Sequence, residues 1–239
     1  MVSLSRRRCS VVIPVRDESP EAALEILTIL TTEKWHDRRE WETIIVDDGS
    51  QTPFPGARIR HEVSQGYGAA IKAGLSVATG EWVITADGDG QHRFRDLLRL
   101  VEFMEEFPEN AMVVGDRRLK ERGLRLWGRK GLNWAASLFA GRWIPDLNSG
   151  LRIFRRQVAL GYLPILCDQF SFTTTLTLSM LADGYRVDWL PIRVQPRREG
   201  QSKVAVWRDG VRTLGLIVWI GLALRTRGLR AWLRRLRFT

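Results

Sequence analysis

Cysteine is scarce in this 239-residue chain: Cys9 and Cys167 are the two, far apart and without the CxxC spacing of zinc or thiol-disulfide sites. Both read as reduced core residues. Long hydrophobic runs are nearly missing too. The longest, TLGLIVWIGLAL, has about a dozen residues against the roughly 20 a bilayer span needs, so it reads as a buried or interfacial helix. The amino-terminal stretch MVSLSRRRCSVVIPV carries a basic patch, but Pro14 cuts its short apolar run. No signal-peptide core is expected there, and a cytosolic location is. No internal repeat or low-complexity linker interrupts the chain, and its composition excludes a fibrous or disordered class. One α/β core with a tail is the economical organisation.

What the chain has in excess is positive charge, a formal +10. Nucleic acid, phospholipid headgroups and phosphorylated substrates all answer to such a charge. Its distribution narrows the choice, because the last fifteen residues, RTRGLRAWLRRLRFT, hold six arginines and no acid. There Leu229, Trp232, Leu233 and Leu236 fall at i, i+3, i+4 and i+7 among arginines, the pattern of a helix lying in a membrane interface beside anionic lipid. A solvated basic helix packed on the domain is the plainer alternative. For nucleic acid there is no RNA-recognition, helix-turn-helix or zinc signature, and acidic strand ends would repel phosphate without a metal.

The first half alternates short β-branched runs with helical patterns, the signature of a mostly parallel sheet covered by helices. The expected strands are SVVIPV, ETIIVD, ARIRHEV, EWVITAD and AMVVGD, with YRVDWLPI near the end. A helix opened by Ser19 and Pro20, with Ala23, Leu27 and Leu30 on one face, is expected between the first two. Further helices are expected at GYGAAIKAGLSVATG, FRDLLRLVEFMEEF and around FSFTTTLTLSMLADG, and a basic helical stretch from Leu119.

Three strands end in acids, at VIPVRDE, IIVDDGS and VITADGDGQH. Ligands of open α/β sheets bind beyond the carboxyl ends of strands, so Glu18, Asp47, Asp48, Asp87 and Asp89 are expected to converge on one crevice. Converging carboxylates are costly without a cation or donor groups. In Asp87-Gly88-Asp89-Gly90-Gln91-His92, carboxylates at i and i+2 can share a hard cation such as Mg²⁺ or Mn²⁺, itself bridged to diphosphate oxygens. A solvated acidic turn is the plain alternative. A calcium EF-hand is excluded, since its sixth and twelfth positions, Gly and Glu, are here His92 and Leu98. GYGAAIKAG opens a helix with glycines that admit a phosphate or nucleoside close to the backbone, without matching a P-loop.

Together these segments resemble the family-2 glycosyltransferases of the GT-A fold, in the polyprenyl-phosphate, dolichol-phosphate mannose synthase-like branch. The likeness runs over roughly residues 10 to 205, from VVIPVRDES through IIVDDGS, GYGAAIKAGL, ADGDGQH, VGDRR and DLNSGLRIFRR to RREGQSKV, in family order. It implies a Rossmann-like, mostly parallel sheet with helices on both faces over residues 1–203; residues 204–239 are expected, from their own pattern, to form interfacial amphipathic helices. It implies that Pro14, Val15, Glu18, Asp47 and Asp87 contact the donor nucleotide, and that Asp87, Asp89 and Gln91 surround Mg²⁺ or Mn²⁺. Arg117, Arg125, Arg129, Arg198 and Lys203 are similar to residues that hold an acceptor phosphate, and Asp89, Arg117 and Arg198 stand nearest the reaction. Planar guanidinium groups suit phosphate because they pair with it bidentately and keep their charge.

The expected activity is transfer of a sugar from a nucleotide-sugar donor to polyprenyl or dolichyl phosphate. Its expected place is the cytoplasmic face of a membrane, held peripherally by the carboxyl-terminal helices and without nucleic acid. Three departures stand out. Arg16-Asp17-Glu18 replaces the usual Tyr-Asn-Glu; FSFTTTLTL lacks the Glu that many relatives carry there; and where many relatives carry transmembrane helices, short amphipathic segments are expected here. A family-2 enzyme with a soluble or glycan acceptor is the nearest competing reading.

Overall fold

A computed structural model of the chain describes residues 9–18, 41–118 and 124–194, with Leu214, Gly215 and Val218 beyond them. Seven stretches run as strands: β1 (Cys9–Val15), β2 (Trp41–Asp48), β3 (Ile59–His61), β4 (Trp82–Thr85), β5 (Asn110–Asp116), β6 (Arg152–Arg155) and β7 (Arg186–Pro191). The helices are α1 (Tyr67–Val77), α2 (Phe94–Glu106), α3 (Leu124–Ala140), α4 (Arg156–Leu160) and α5 (Phe172–Ala182). The expected helix at Ser19 and Pro20, Arg198, Lys203, the boundary at 203 and the helix of Leu229 to Leu236 lie outside the described residues. Leu214, Gly215 and Val218 are helical and exposed.

The strands form one sheet in the order β3-β2-β1-β4-β6-β5-β7. Neighbours pair in parallel except at β6, which runs antiparallel to both β4 and β5. Every residue of β1 and β4 is buried, as expected of parallel strands covered on both faces. Alternation then divides the side chains between two layers. Val12, Ile44, Val83, Met112 and Phe154 pack under α1 and α5, while Val11, Ile13, Ile45, Ile84 and Ile153 pack under α2. This is the doubly covered α/β architecture of the GT-A type. A smaller cluster, Ala136, Ile144, Leu147 and Leu178, seats α3 against α5.

Two features depart from what periodicity suggests. The strand expected over ARIRHEV is three residues long, and within it Arg60 and His61, paired in register with Asp47 and Asp48, bond to those acids. α5 is buried from Phe172 through Met180 although five of those nine residues are threonine or serine. Its threonines satisfy themselves on the preceding turn: Thr175 Oγ1 donates to Ser171 O at 3.1 Å and Thr177 Oγ1 to Thr173 O at 2.8 Å.

Candidate active site

Reversal of β6 is what assembles the site. Arg152 opens β6 and pairs with Thr85 at the end of β4 and Val114 near the end of β5. The segment entering β6, Asp146 to Gly150, therefore arrives at the edge where β1, β2, β4 and β5 deliver their terminal residues. Thr85 Oγ1 ties it down with a 2.6 Å bond to Gly150 O, and Gly115 N–H donates to Leu151 O at 2.9 Å.

Asp87 stands at the centre. Its Oδ2 lies 3.2 Å from His92 Nε2, and a Cβ on Gly150 would fall 2.2 Å from its Oδ1, so any side chain there would displace the carboxylate. Burial pushes the Asp87 carboxyl up, but the hydrogen bond and charge of His92, the Arg117 charge and the Tyr67 hydroxyl outweigh it, and the pKa is lowered. Tyr67 stacks on Phe170 with ring centroids 5.5 Å apart. Burial first, and the Asp87 charge second, raise the Tyr67 pKa well above its ordinary value, so it stays a donor. The Tyr67 hydroxyl and His92 Nδ1 are both buried without a hydrogen-bond partner of good geometry. Gly88 seats the turn on β1: a Cβ there would stand 2.7 Å from Val15 Cγ1 and 3.0 Å from Pro14 O. Pro14 and Val15 are thus the buried floor beneath the Asp87–Asp89 turn. Asp89 is buried too, and its Oδ1 accepts the Gln91 N–H at 3.1 Å.

Two arginines frame this carboxylate. Arg117 grips Asp146 bidentately, Nε to Oδ2 at 2.7 Å and NH2 to Oδ1 at 3.0 Å. Arg152 is wholly buried and meets neutral acceptors: Ser149 O at 2.5 Å, Thr173 O at 3.1 Å, Thr177 Oγ1 at 3.0 Å and Leu147 O at 3.4 Å. Burial lowers its pKa to about 10, which leaves it charged at neutral pH. From α5, Thr174 Oγ1 donates to Asn148 Oδ1 at 2.9 Å. Every turn of the 146–150 segment is thereby held from below.

The ends of β1 and β2 form a neighbouring structure with its own bonds. Asp47 accepts the N–H groups of Ser50 at 2.9 Å and Phe54 at 3.0 Å, and Arg60 NH1 at 2.5 Å. Asp48 accepts His61 Nδ1, Gln65 N, Ser64 Oγ and Gly66 N between 2.7 and 2.9 Å, which fixes the approach to α1 and Tyr67. For both acids burial raises the pKa and these bonds more than reverse it. Asp17, at φ 48°, accepts Gln51 N–H at 2.8 Å and so joins the β1 turn to the β2 turn, next to the half-buried Glu18. An open cleft of about 550 Å³ runs along Arg60 to Gln65 on this side.

Asp87 and Asp89 offer hard oxygen donors suited to Mg²⁺ or Mn²⁺. Among the described residues no three His, Cys, Asp or Glu side chains gather to hold an ion by themselves. An ion here would complete its shell with phosphate oxygens or water, the usual state of Mg²⁺ at a phosphate-transfer site. The donor set fits on those terms.

Residues 10–163 match the model of a family described as Glycosyl transferase family 2. The chain belongs to that family. This glycosyltransferase also superposes on crystal structures of glucosyl-3-phosphoglycerate synthase from Mycobacterium tuberculosis. With the complex holding phosphoglyceric acid it shares 20% identity and a TM-score of 0.67, over 88% of this chain and 80% of that one. With the complex holding Mn²⁺, uridine-diphosphate-glucose and glycerol 3-phosphate the values are 19%, 0.65, 91% and 80%. A further mycobacterial protein matches at 19% identity and TM-score 0.68, over 87% of this chain and 73% of that one. These likenesses establish the glycosyltransferase fold.

The residues singled out from sequence thus divide. Asp87, Asp89, Gln91, Pro14 and Val15 meet at one turn, and Arg117 acts on Asp87 from the opposite loop. Asp47 and Glu18 lie at the adjoining strand ends. Arg125 and Arg129 fall in the first turns of α3, and their side chains lie outside the described part. Tyr67, Asp146 and Arg152 escaped the sequence reading, which gave His92 no role in the site and read Thr174 as packing. DLNSGLRIFRR and GYGAAIKAG pointed at their segments, but nothing local distinguishes a buried arginine from a solvated one.

Proposed function

We propose that this enzyme transfers a sugar from a nucleoside-diphosphate donor to a polyprenyl or dolichyl phosphate, with inversion, at the cytosolic face of a membrane. The observation that carries the reading is the chemistry opposite Asp87. α5 presents threonine hydroxyls to the 146–150 segment, and the carboxylate heading that segment, Asp146, is held at both oxygens by Arg117. A neutral hydroxyl acceptor needs a base to take its proton. A phosphate is already anionic at neutral pH and needs only placement.

In this reading a phosphate oxygen of the acceptor bonds to the anomeric carbon as the bond to the donor's β-phosphate oxygen breaks. The nucleoside diphosphate departs with the electron pair, and no proton has to move. Asp87, Asp89 and Gln91 would hold Mg²⁺ or Mn²⁺, which when bound stabilises charge on the diphosphate. Pro14, Val15, Glu18 and Asp47 are assigned to the nucleoside side of the donor. Arg117, with Arg125, Arg129, Arg198 and Lys203, is assigned to the acceptor phosphate. The Mn²⁺ and uridine-diphosphate-glucose of the mycobacterial enzyme support a nucleotide-sugar donor and a divalent ion.

That enzyme's phosphoglyceric acid and glycerol 3-phosphate favour a second reading, a small soluble phosphorylated acceptor. Labelled UDP-glucose and GDP-mannose, offered with Mn²⁺ to a short-chain polyprenyl phosphate and to phosphoglycerate side by side, separate the two. Label extracted with the lipid is expected; label found only on phosphoglycerate transfers the assignment.

A further inference from the structure

The fold leaves one buried hydroxyl over. Tyr67 opens α1, and its hydroxyl oxygen is shielded from solvent without a hydrogen-bond partner of good geometry. A buried hydroxyl with no partner destabilises a fold, and phenylalanine would pack in the same place without that penalty. Packing alone therefore does not account for a tyrosine at this position.

The chain fixes the ring from both sides. Just before it, Asp48 accepts the N–H groups of Gln65 at 2.8 Å and Gly66 at 2.9 Å. Residues 65–72 then lie against the loop that leads into α5: Gln169 Nε2 donates to Gln65 O at 3.1 Å, Ala69 N–H to Asp168 O at 2.9 Å and Lys72 Nζ to Leu166 O at 3.2 Å. The approach is so close that a Cβ on Gly66 would fall 2.5 Å from Asp168 O, and one on Gly68 2.0 Å from Cys167 O. From the same loop Phe170 stacks on the Tyr67 ring, with planes 16° apart. A ring held by its own backbone and by a stacked neighbour carries its hydroxyl to a fixed place.

That place is beside Asp87, within reach of the Arg117 and Arg152 charges. The Asp87 side chain is 31% exposed, whereas that of His92, which meets its Oδ2, is 5% exposed. The carboxylate thus keeps one side open to the cleft, and His92 and the Tyr67 hydroxyl stand on its protein side. Carboxylates that hold an ion are oriented by hydrogen bonds from groups that do not touch the ion, and the loss of one such group typically costs 10–100-fold in metal affinity.

We infer that Tyr67 is a positioning residue for the metal site: its hydroxyl is the donor that, with His92, turns the Asp87 carboxylate toward Mg²⁺ or Mn²⁺. The inference rests on the divalent ion of the reading above and is indifferent to the acceptor. It also gives the stack of Phe170 on Tyr67 a use, since the ring that carries the donor is held by it.

Tyr67→Phe removes one oxygen and keeps the ring on Phe170. The full-length variant should melt at or above the wild-type temperature. Free Mn²⁺ measured by electron paramagnetic resonance, in titrations with UDP present and separately with GDP, should show binding weakened about tenfold. The Mn²⁺ concentration for half-maximal turnover should rise by a similar factor, more than kcat at saturating Mn²⁺ falls. Wild-type Mn²⁺ affinity in the variant overturns the proposal. So does a melting temperature several degrees lower, since the hydroxyl would then be bonded within the fold. Weaker binding of UDP or GDP in EDTA, with Mn²⁺ affinity unchanged, would place the hydroxyl on the donor itself and equally overturn it. If wild-type protein takes up Mn²⁺ with neither nucleotide, the ion and this role for Tyr67 fall together. If it binds Mn²⁺ but transfers nothing to polyprenyl phosphate, the acceptor reading alone falls, and the two Mn²⁺ affinities still decide the role of Tyr67.

Discussion

Gly150 and Asp87 are in contact so close that a side chain at Gly150 would displace the carboxylate: a Cβ there would lie 2.2 Å from Oδ1 and 2.4 Å from Oδ2. The two residues come from loops joined through the antiparallel pairing of β4 and β6. Whatever moves the 146–150 segment therefore moves the acid at the centre of the site.

Gly150→Ala is expected to displace the Asp87 carboxylate and lower kcat by about a hundredfold, since a misplacement near 1 Å can cost that much. The Thr85 bond to Gly150 O uses the backbone, so the fold should persist. Circular dichroism and turnover measured on the same preparation check this; wild-type turnover would show that the contact does not position Asp87.

Arg152 holds the same segment from beneath. Arg152→Met leaves the carbonyls of Ser149 and Leu147 without this donor, each buried unpaired acceptor costing about 1–3 kcal/mol, while Thr173 O keeps the Thr177 hydroxyl. The melting temperature should fall by several degrees. Arg152→Lys keeps the charge but loses the planar fork that reaches several carbonyls at once. It is expected to fold and to turn over more slowly, with less protection of the 146–150 amides from hydrogen exchange. Unchanged exchange in the lysine variant would separate Arg152 from loop placement.

Asp89→Ala should lower kcat by about a hundredfold or more, and chelation of divalent ions should do the same to the wild type. A binding readout distinguishes this from misfolding. Nucleoside diphosphate with Mn²⁺ should raise the melting temperature of the wild type and lose most of that effect in the variant. Turnover retained with metal present would remove Asp89 from the site.

At the opposite pole of the sheet, Glu42 accepts Ser10 Oγ and Thr79 N–H at 2.6 Å, Thr79 Oγ1 at 2.7 Å and Arg58 NH1 at 3.0 Å. Burial raises its pKa, yet these bonds bring it from 4.5 down to about 2. A lowered folded pKa means that the unfolded chain binds the proton first as pH falls. Glu42 thus contributes stability fully present above pH 4.5 and lost progressively toward about 2. Asp47 and Asp48, also lowered, act in the same direction. Urea unfolding across this range should show the acid loss in the wild type and a shallower slope in Glu42→Gln; an identical slope would mean the bonds to Glu42 do not survive in solution.

Much of the fold was readable because parallel strands covered on both faces leave unbroken apolar runs such as SVVIPV and WVIT, and helices mark their own period. The acids closing those runs led to the Asp87–Asp89 turn, since a parallel sheet sends strand ends to one edge. β6 was not distinguished as a strand. RIFR has four residues with arginine at both ends, and neither its direction nor its place between β4 and β5 is written in local periodicity.

The sequence by itself determined the layering of the sheet, the edge at which chemistry gathers and the family to which the chain belongs, because each follows from patterns within a few residues of one another. Only the tertiary structure decided that Arg152 is buried, that Arg117 is bound to Asp146 and that Tyr67 faces Asp87. A charged or polar side chain can leave water only where acceptors from distant segments converge on it. That convergence is a property of the closed sheet, with residues 67, 87, 117, 146 and 152 brought into one electrostatic cluster.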